Sequence, residues 1–281
     1  MKHANNASRF IDISGINVHY RDEGSGPVLV LVHGILSSLH TWEGWVKKLS
    51  GDYRIISLDL PGYGLTGPAN FEYNKENYMI FLNNFFDSLK LKKFHMAGSS
   101  LGGYFVWNYA KEYPDKVDKI ILLDSAAYPQ ELPNAISLFT IPVIGYFSTL
   151  ITPRFIYEKY IKEMYANPDR VEKRVLDRYY DLIMRSGNRK AVRKIFKVLE
   201  AQVKFEPQGI SEIHMPVLIM WGTKDTWVPF QQNRWKKDLP DSEIIQYKNV
   251  GHIPMEEIPA KSANDAHYFL LGVNNYDKEV K

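Results

Sequence analysis

Ser100 lies in the pentapeptide Gly98-Ser99-Ser100-Leu101-Gly102. An apolar run (Phe94, Met96, Ala97) precedes it, and a helical pattern from Tyr104 to Ala110 follows. A corner this tight between strand and helix excludes side chains two residues either side of the serine. It also holds the serine at a strained backbone, with its hydroxyl over a helix N-terminus. A serine hydroxyl becomes a nucleophile when a base takes its proton, and the base needs a carboxylate to orient it. Both residue types recur downstream, each a few positions after an apolar run. Asp225 follows the run ending at Trp221, and His252 follows the run ending at Tyr247. The order Ser100, Asp225, His252 fits acyl transfer through a covalent intermediate. Such chemistry also needs two backbone N–H donors for an oxyanion. Leu101, at the helix N-terminus, is the first, and Ile35, in the loop His33-Gly34-Ile35, is the second.

The elements that must position these residues read as alternating strands and helices. Residues 10–20 alternate around Gly15 as a hairpin of half-buried strands. Residues 28–32, 54–58, 119–123, 217–221 and 243–247 are short aliphatic runs that suit strands of a parallel sheet, most of them buried on both faces. Helical spacing occupies 42–49, 73–89 and 104–110, and the last of these stops before Pro114. The expected architecture is an α/β, doubly wound, mostly parallel sheet interrupted by an all-helical insertion. The core comprises residues 1–128 and 213–281, and the insertion 129–212. Within the insertion, helical spacing over 169–184 places Val171, Val175, Tyr179 and Ile183 on one face, and Val192, Ile195, Phe196 and Leu199 fall on another.

Composition narrows the class further. The chain has 281 residues and a net charge of +3, which gives no reason to expect a nucleic-acid partner. It contains no cysteine, which removes disulfides and thiolate metal sites. The first residues carry no apolar run of the secretory kind, and 136–151 is interrupted by Pro142 and Gly145 and is short for a bilayer span. A soluble, cytoplasmic protein without a membrane span is expected.

His33-Gly34, Asp59-Leu60-Pro61-Gly62-Tyr63-Gly64, the Ser100 pentapeptide, Trp221-Gly222 with Asp225, and Gly251-His252 together resemble the cap-bearing α/β-hydrolase fold family. The resemblance runs from about Phe10 to Leu271. It implies an esterase- or lipase-like serine hydrolase without a metal or organic cofactor, in which 129–212 is the cap. Some family members place the acid at the position of Asp124, but the motif around Asp225 favours Asp225. Serine rather than aspartate at position 100 argues against dehalogenase and epoxide hydrolase chemistry.

The expected activity is cleavage of carboxylic esters of short to medium acyl chains, because 136–151 is dominated by Ile, Leu, Phe, Val and Tyr. Trp42, Tyr128 and Trp227 are candidate pocket residues. A carbon–carbon bond hydrolase, or a hydrolase of esters or thioesters on a carrier protein, is the alternative within the same fold. A ligand-binding receptor on the hydrolase scaffold is the alternative from another class. Residues 129–212 hold 14 Lys/Arg against 10 Asp/Glu. The stripe Arg189, Arg193 and Lys197, with Lys190 and Lys194 beside it, would point outward and suit an acidic carrier protein.

Overall fold

The computed structural model describes residues 2–273. One eight-stranded sheet runs through it: β1 (Ser8–Ile13), β2 (Ile16–Glu23), β3 (Val28–Val32), β4 (Arg54–Leu58), β5 (Phe94–Ser99), β6 (Val117–Leu123), β7 (Val217–Gly222) and β8 (Glu243–Tyr247). Their order is β1-β2-β4-β3-β5-β6-β7-β8. β1 and β2 form the antiparallel hairpin, β2 pairs antiparallel with β4, and every later pairing is parallel. The aliphatic runs become the buried middle of the sheet, β3 through β7, where both faces are covered. β1 and β8, at the edges, alternate or stay half-buried.

Core helices α1 (Glu43–Leu49), α2 (Lys75–Ser88) and α3 (Leu101–Glu112) follow β3, β4 and β5. Asn74 caps α2 by accepting from the Asn77 N–H. Five helices stand between β6 and β7: α4 (Asn134–Thr140), α5 (Pro142–Leu150), α6 (Arg154–Glu163), α7 (Lys173–Ile183) and α8 (Asn188–Gln202). The stretch 136–151 is thus two helices rather than one. Ile141, ahead of Pro142, takes φ −57° and ψ 126°, the extended geometry a following proline imposes. α9 (Gln232–Asp238), which the sequence pattern did not announce, α10 (Pro254–Glu257) and α11 (Pro259–Leu271) complete the core.

The apolar faces of the insertion are shifted from the expected ones. Asn167 caps a short 3-10 turn at Pro168–Arg170, so α7 starts only at Lys173. Leu176 and Leu182 then join Tyr179 and Ile183 as its buried residues, whereas Val175 is half-buried. On α8, Ala191, Val192, Ile195 and Phe196 are buried. The basic stripe does not simply face outward. Arg189 donates to the Leu150 carbonyl at 2.9 Å, and Arg193 lies under Gly145 of α5. Lys190, Lys194 and Lys197 remain exposed.

The β5–α3 corner is packed at backbone contact. A Cβ on Gly98 would stand 2.4 Å from the Gly102 carbonyl oxygen, and one on Gly102 would stand 2.2 Å from that of Val32. Gly102→Ala is expected to destabilise the fold by about 1–3 kcal/mol, the usual cost of forcing an atom into a closed packing site. A lowered urea midpoint with unchanged m-value would show this.

Candidate functional site

Ser100 sits at φ 55°, ψ −118°, a conformation non-glycine residues rarely adopt. Three backbone bonds hold it there. Its N–H donates to the Leu123 carbonyl at 2.9 Å, and its own carbonyl accepts from Ala126 and Tyr104 at 3.1 Å each. The corner is therefore anchored to β6 as well as to α3. Leu101 opens α3, where backbone N–H groups lack intrahelical partners. The loop His33-Gly34-Ile35 lies against the serine: a Cβ on Gly34 would meet Ser100 Cβ at 3.0 Å. His33 shapes this loop from inside. Its Nε2 accepts from the Leu60 N–H at 3.0 Å, so Nδ1 bears the proton and donates to the Gly34 carbonyl at 2.7 Å. Burial lowers the His33 pKa and keeps the ring neutral.

His252 Nδ1 lies 2.9 Å from Asp225 Oδ2. Asp225 Oδ1 accepts from the N–H groups of Trp227 and Val228 at 2.7 and 3.1 Å, which fixes the carboxyl plane. The Trp227 ring stacks on the imidazole, 5.9 Å away and tilted by 18°. His252 Nε2 is buried and has no hydrogen-bond partner, so no hydrogen bond joins it to Ser100 here. Catalytic hydrogen bonds often close only around substrate. Ser100 is 6% exposed and His252 2%, so both lie beneath other residues.

Asp124 is the third acid at this place. It is fully buried at the end of β6, with Oδ1 accepting from the Gly222 N–H at 2.9 Å and Oδ2 unpartnered. Burial, and then the neighbouring Asp225, push its pKa well above the usual carboxyl range. Asp124 is thus held protonated, and it is Asp225 that meets the imidazole. Asp124, Asp225 and His252 each offer a ligand atom within 4.8 Å of the others. The imidazole Nδ1 and both Asp225 oxygens are already committed to one another or to backbone N–H groups, so a metal would have to break these bonds.

The helices between β6 and β7 are hydrogen-bonded to three loops that follow strands of the sheet. Tyr157 Oη donates to the Leu36 carbonyl at 3.2 Å, just past Ile35. Arg185 and Asn188 donate to the Gly64 carbonyl at 2.7 and 3.1 Å. The His252 N–H donates to the Met164 carbonyl at 2.7 Å. Glu256, four residues past His252, has a side chain only 9% exposed. It accepts from Tyr165 Oη and Tyr179 Oη at 2.7 Å each and from Arg178 at 3.2 and 3.3 Å. Asp59, buried in the loop after β4, accepts from Leu39 N–H, Leu65 N–H and His19 Nδ1 at 2.7–2.8 Å. Asp59 and Glu256 are both positioning acids. Motif spacing drew attention to the loops that carry them but not to their partners, which come from distant segments.

The candidate aromatics separate. Only Trp227 touches the site, through His252. Trp42 is fully buried against Trp45, away from it. Tyr128 packs on Trp235, donates to Asp238 at 3.0 Å, and lines a cavity of about 260 Å³ with Trp107 and Phe205. Ser100, Asp225 and His252 do not line that cavity. A narrower cavity of about 20 Å³ is bounded by Leu36, Phe139, Tyr157, Ile183, Val192 and Phe196, next to the loop that touches Ser100.

Residues 27–259 match the model of the family described as alpha/beta hydrolase fold. The chain belongs to the alpha/beta hydrolase fold family. This alpha/beta hydrolase is 28% identical over 275 residues to Lipase 1 of Psychrobacter immobilis, covering 91% of this chain and 81% of the lipase. It is 24% identical over 271 residues to the 2-hydroxy-6-oxo-6-(2'-aminophenyl)hexa-2,4-dienoic acid hydrolase of Metapseudomonas resinovorans, covering 93% and 90%. An esterase structure from Thermogutta terrifontis superposes with a TM-score of 0.78 at 22% identity, covering 94% of this chain and 98% of that one. That likeness shows the fold. Among the described residues, no helix is long and apolar enough to cross a membrane.

Burial opposes ionisation of Glu256, but Arg178 and the two tyrosines outweigh it and hold its pKa below the ordinary value. The unfolded chain therefore binds more protons in the acid range, and stability rises with pH there. Glu256→Gln is expected to cost about 3 kcal/mol at neutral pH by weakening the partner of a buried guanidinium. The difference from wild type should be complete above about pH 4.3, where an unfolded glutamate ionises, and fade as pH falls through the lower folded value. Urea unfolding of both proteins across pH 3–7 measures it.

Proposed function

We propose that this alpha/beta hydrolase cleaves carboxylic esters through an acyl-enzyme formed on Ser100. The observation that carries the reading is the Asp225–His252 pair, assembled from two separate loops of a chain whose Ser100 is held at φ 55°. With Nδ1–H donated to Asp225, the neutral imidazole keeps Nε2 as its acceptor. Ser100 Oγ attacks the acyl carbon while its proton passes to His252 Nε2. The N–H groups of Ile35 and Leu101 receive the oxyanion, which the positive end of α3 also favours. Collapse expels the alcohol, which takes the proton from His252. Water then attacks the acyl-serine with His252 again as base, releasing the acid and restoring Ser100.

The helices between β6 and β7, taken as a cap over 129–212, supply the acyl side of the site. The apolar part of the narrow cavity wall, Leu36, Phe139, Ile183 and Phe196, which Arg189 and Arg193 also line, would favour short to medium acyl chains once it widens beyond its roughly 20 Å³, at up to about 0.8 kcal/mol per methylene that fits. Carbon–carbon bond cleavage is the second reading, favoured by the dienoic acid hydrolase among the relatives. Docking of an acidic carrier protein would rest on Lys190, Lys194 and Lys197, since Arg189 and Arg193 are engaged beneath α5. A receptor that binds without turnover would leave Ser100 unreactive toward a fluorophosphonate, whereas the proposed enzyme is labelled there.

A panel of acetyl, butyryl and hexanoyl esters, with thioesters, amides and dienones beside them, tests the substrate class. Butyryl or hexanoyl esters should be turned over best, and an optimum at dienones would replace the ester reading. Ser100→Ala should lower turnover by about 10⁴-fold or more without shifting the melting temperature.

Asp225→Asn should cost about 10⁴-fold. Asp124→Asn mimics an acid that is already protonated and should stay within about tenfold of wild type. The opposite ranking in kcat would move the orienting role to Asp124.

A further inference from the structure

Residues 132–153 contain no charged side chain. Folding buries Ile136 and the threonines but leaves most large apolar side chains of 141–151 outside. Val143, Ile144, Tyr146, Phe147, Leu150 and Ile151 keep between 43% and 69% of their surface exposed, and Phe155 at the start of α6 keeps 73%. Over half of the large exposed apolar residues of the described chain fall within 141–155. Contiguous apolar surface on this scale marks a place where something other than water belongs.

The polar atoms of the same segment have been turned inward. Ser148 Oγ donates to the Gly145 carbonyl, Thr149 Oγ1 to that of Tyr146, and Thr152 Oγ1 to that of Ser148, all at 2.7–2.8 Å. The C-terminal Leu150 carbonyl, otherwise an open acceptor at a helix end, takes the Arg189 guanidinium at 2.9 Å. A helix with an uncharged sequence and hydroxyls bonded to its own backbone is adapted to a low-dielectric medium. Beside it runs the edge of α8 with Lys190, Lys194 and Lys197 exposed. Apolar side chains flanked by lysines match a bilayer interface that carries negative headgroups.

We infer that α5 with its flanking residues is a membrane-docking face, which seats the protein on an anionic phospholipid surface without crossing it. Val143, Phe147 and Ile151 enter the headgroup–acyl boundary, and the α8 lysines meet the lipid phosphates. The inference stands apart from the proposed chemistry, because it needs no role for Ser100. If both hold, the site beneath the insertion faces a surface on which acyl esters are concentrated.

Flotation of the full chain with phosphatidylcholine vesicles, with and without phosphatidylglycerol, tests it. Wild type should float with the mixed vesicles and more weakly with phosphatidylcholine alone. The double variant Val143→Glu/Phe147→Glu should lose at least about tenfold in partitioning, since two charges then face the hydrocarbon. The triple variant Lys190→Glu/Lys194→Glu/Lys197→Glu should lose affinity for mixed vesicles by about fivefold per lysine, with little change on phosphatidylcholine. Both should hydrolyse a small soluble ester, and melt, as wild type does. Wild type left at the bottom of the gradient with mixed vesicles would overturn the inference, as would a double variant that floats undiminished. A dimer that the double variant converts to monomer, without flotation of either, would assign the face to a second copy of the chain.

Discussion

The first turn of α3 rests directly on the backbone of β3, and the site follows from that contact. Only hydrogen atoms at Gly98 and Gly102 let the helix start this close to the sheet, with 2.2 Å between a Cβ at position 102 and the Val32 carbonyl oxygen. Closeness here forces the left-handed turn at Ser100, costing about 1–3 kcal/mol that the surrounding sheet must offset. It brings the opening of α3 beside the loop leaving β3, where a Cβ on Gly34 would meet Ser100 Cβ at 3.0 Å. Bonds from Ser100 to Leu123, Ala126 and Tyr104 spread the strain over β6 and α3 rather than leaving it in a loop.

Buried acids do the rest of the positioning, with the pKa lowered at Asp59 and Glu256 and raised at Asp124. Asp59 accepts from two backbone N–H groups and His19; burial would raise its pKa, but His19, with His40 and His33 nearby, holds it well below the carboxylate range. Glu256 is kept ionised by Arg178 and two tyrosine hydroxyls. Asp124 has only the Gly222 N–H and the neighbouring Asp225, and it stays protonated. The difference lies in the donors that face each carboxyl, because burial is common to all three.

The positions of the strands and the serine corner were legible because both are local in the chain. Aliphatic runs with sharp ends, and glycines at fixed offsets from Ser100, describe their own geometry. Asp225 and His252 were legible for the same reason, each standing a few residues past a strand. The partners of Glu256 were not, since Tyr165, Arg178 and Tyr179 lie 77 to 91 residues away in sequence. The start of α7 was missed because the Asn167 cap outweighed a continuous helical period through 169–172. Periodicity also placed the basic stripe on the outside of α8. It could not show that α5 would lie across two of its arginines, since that follows from the break at Pro142.

One join between the insertion and the His252 loop is made by main chain alone. His252 N–H meets the Met164 carbonyl, and Gly251 leaves so little space that a Cβ there would lie 2.4 Å from the same oxygen. That join is blind to the side chain of Met164, whereas the bonds to Glu256 depend on those of Tyr165, Arg178 and Tyr179. Substitutions can accumulate along the insertion, changing what the site admits, while the seam that aligns it with the imidazole is inherited intact. The demand for invariance falls on one hydrogen atom, at Gly251, in the core rather than in the part that varies.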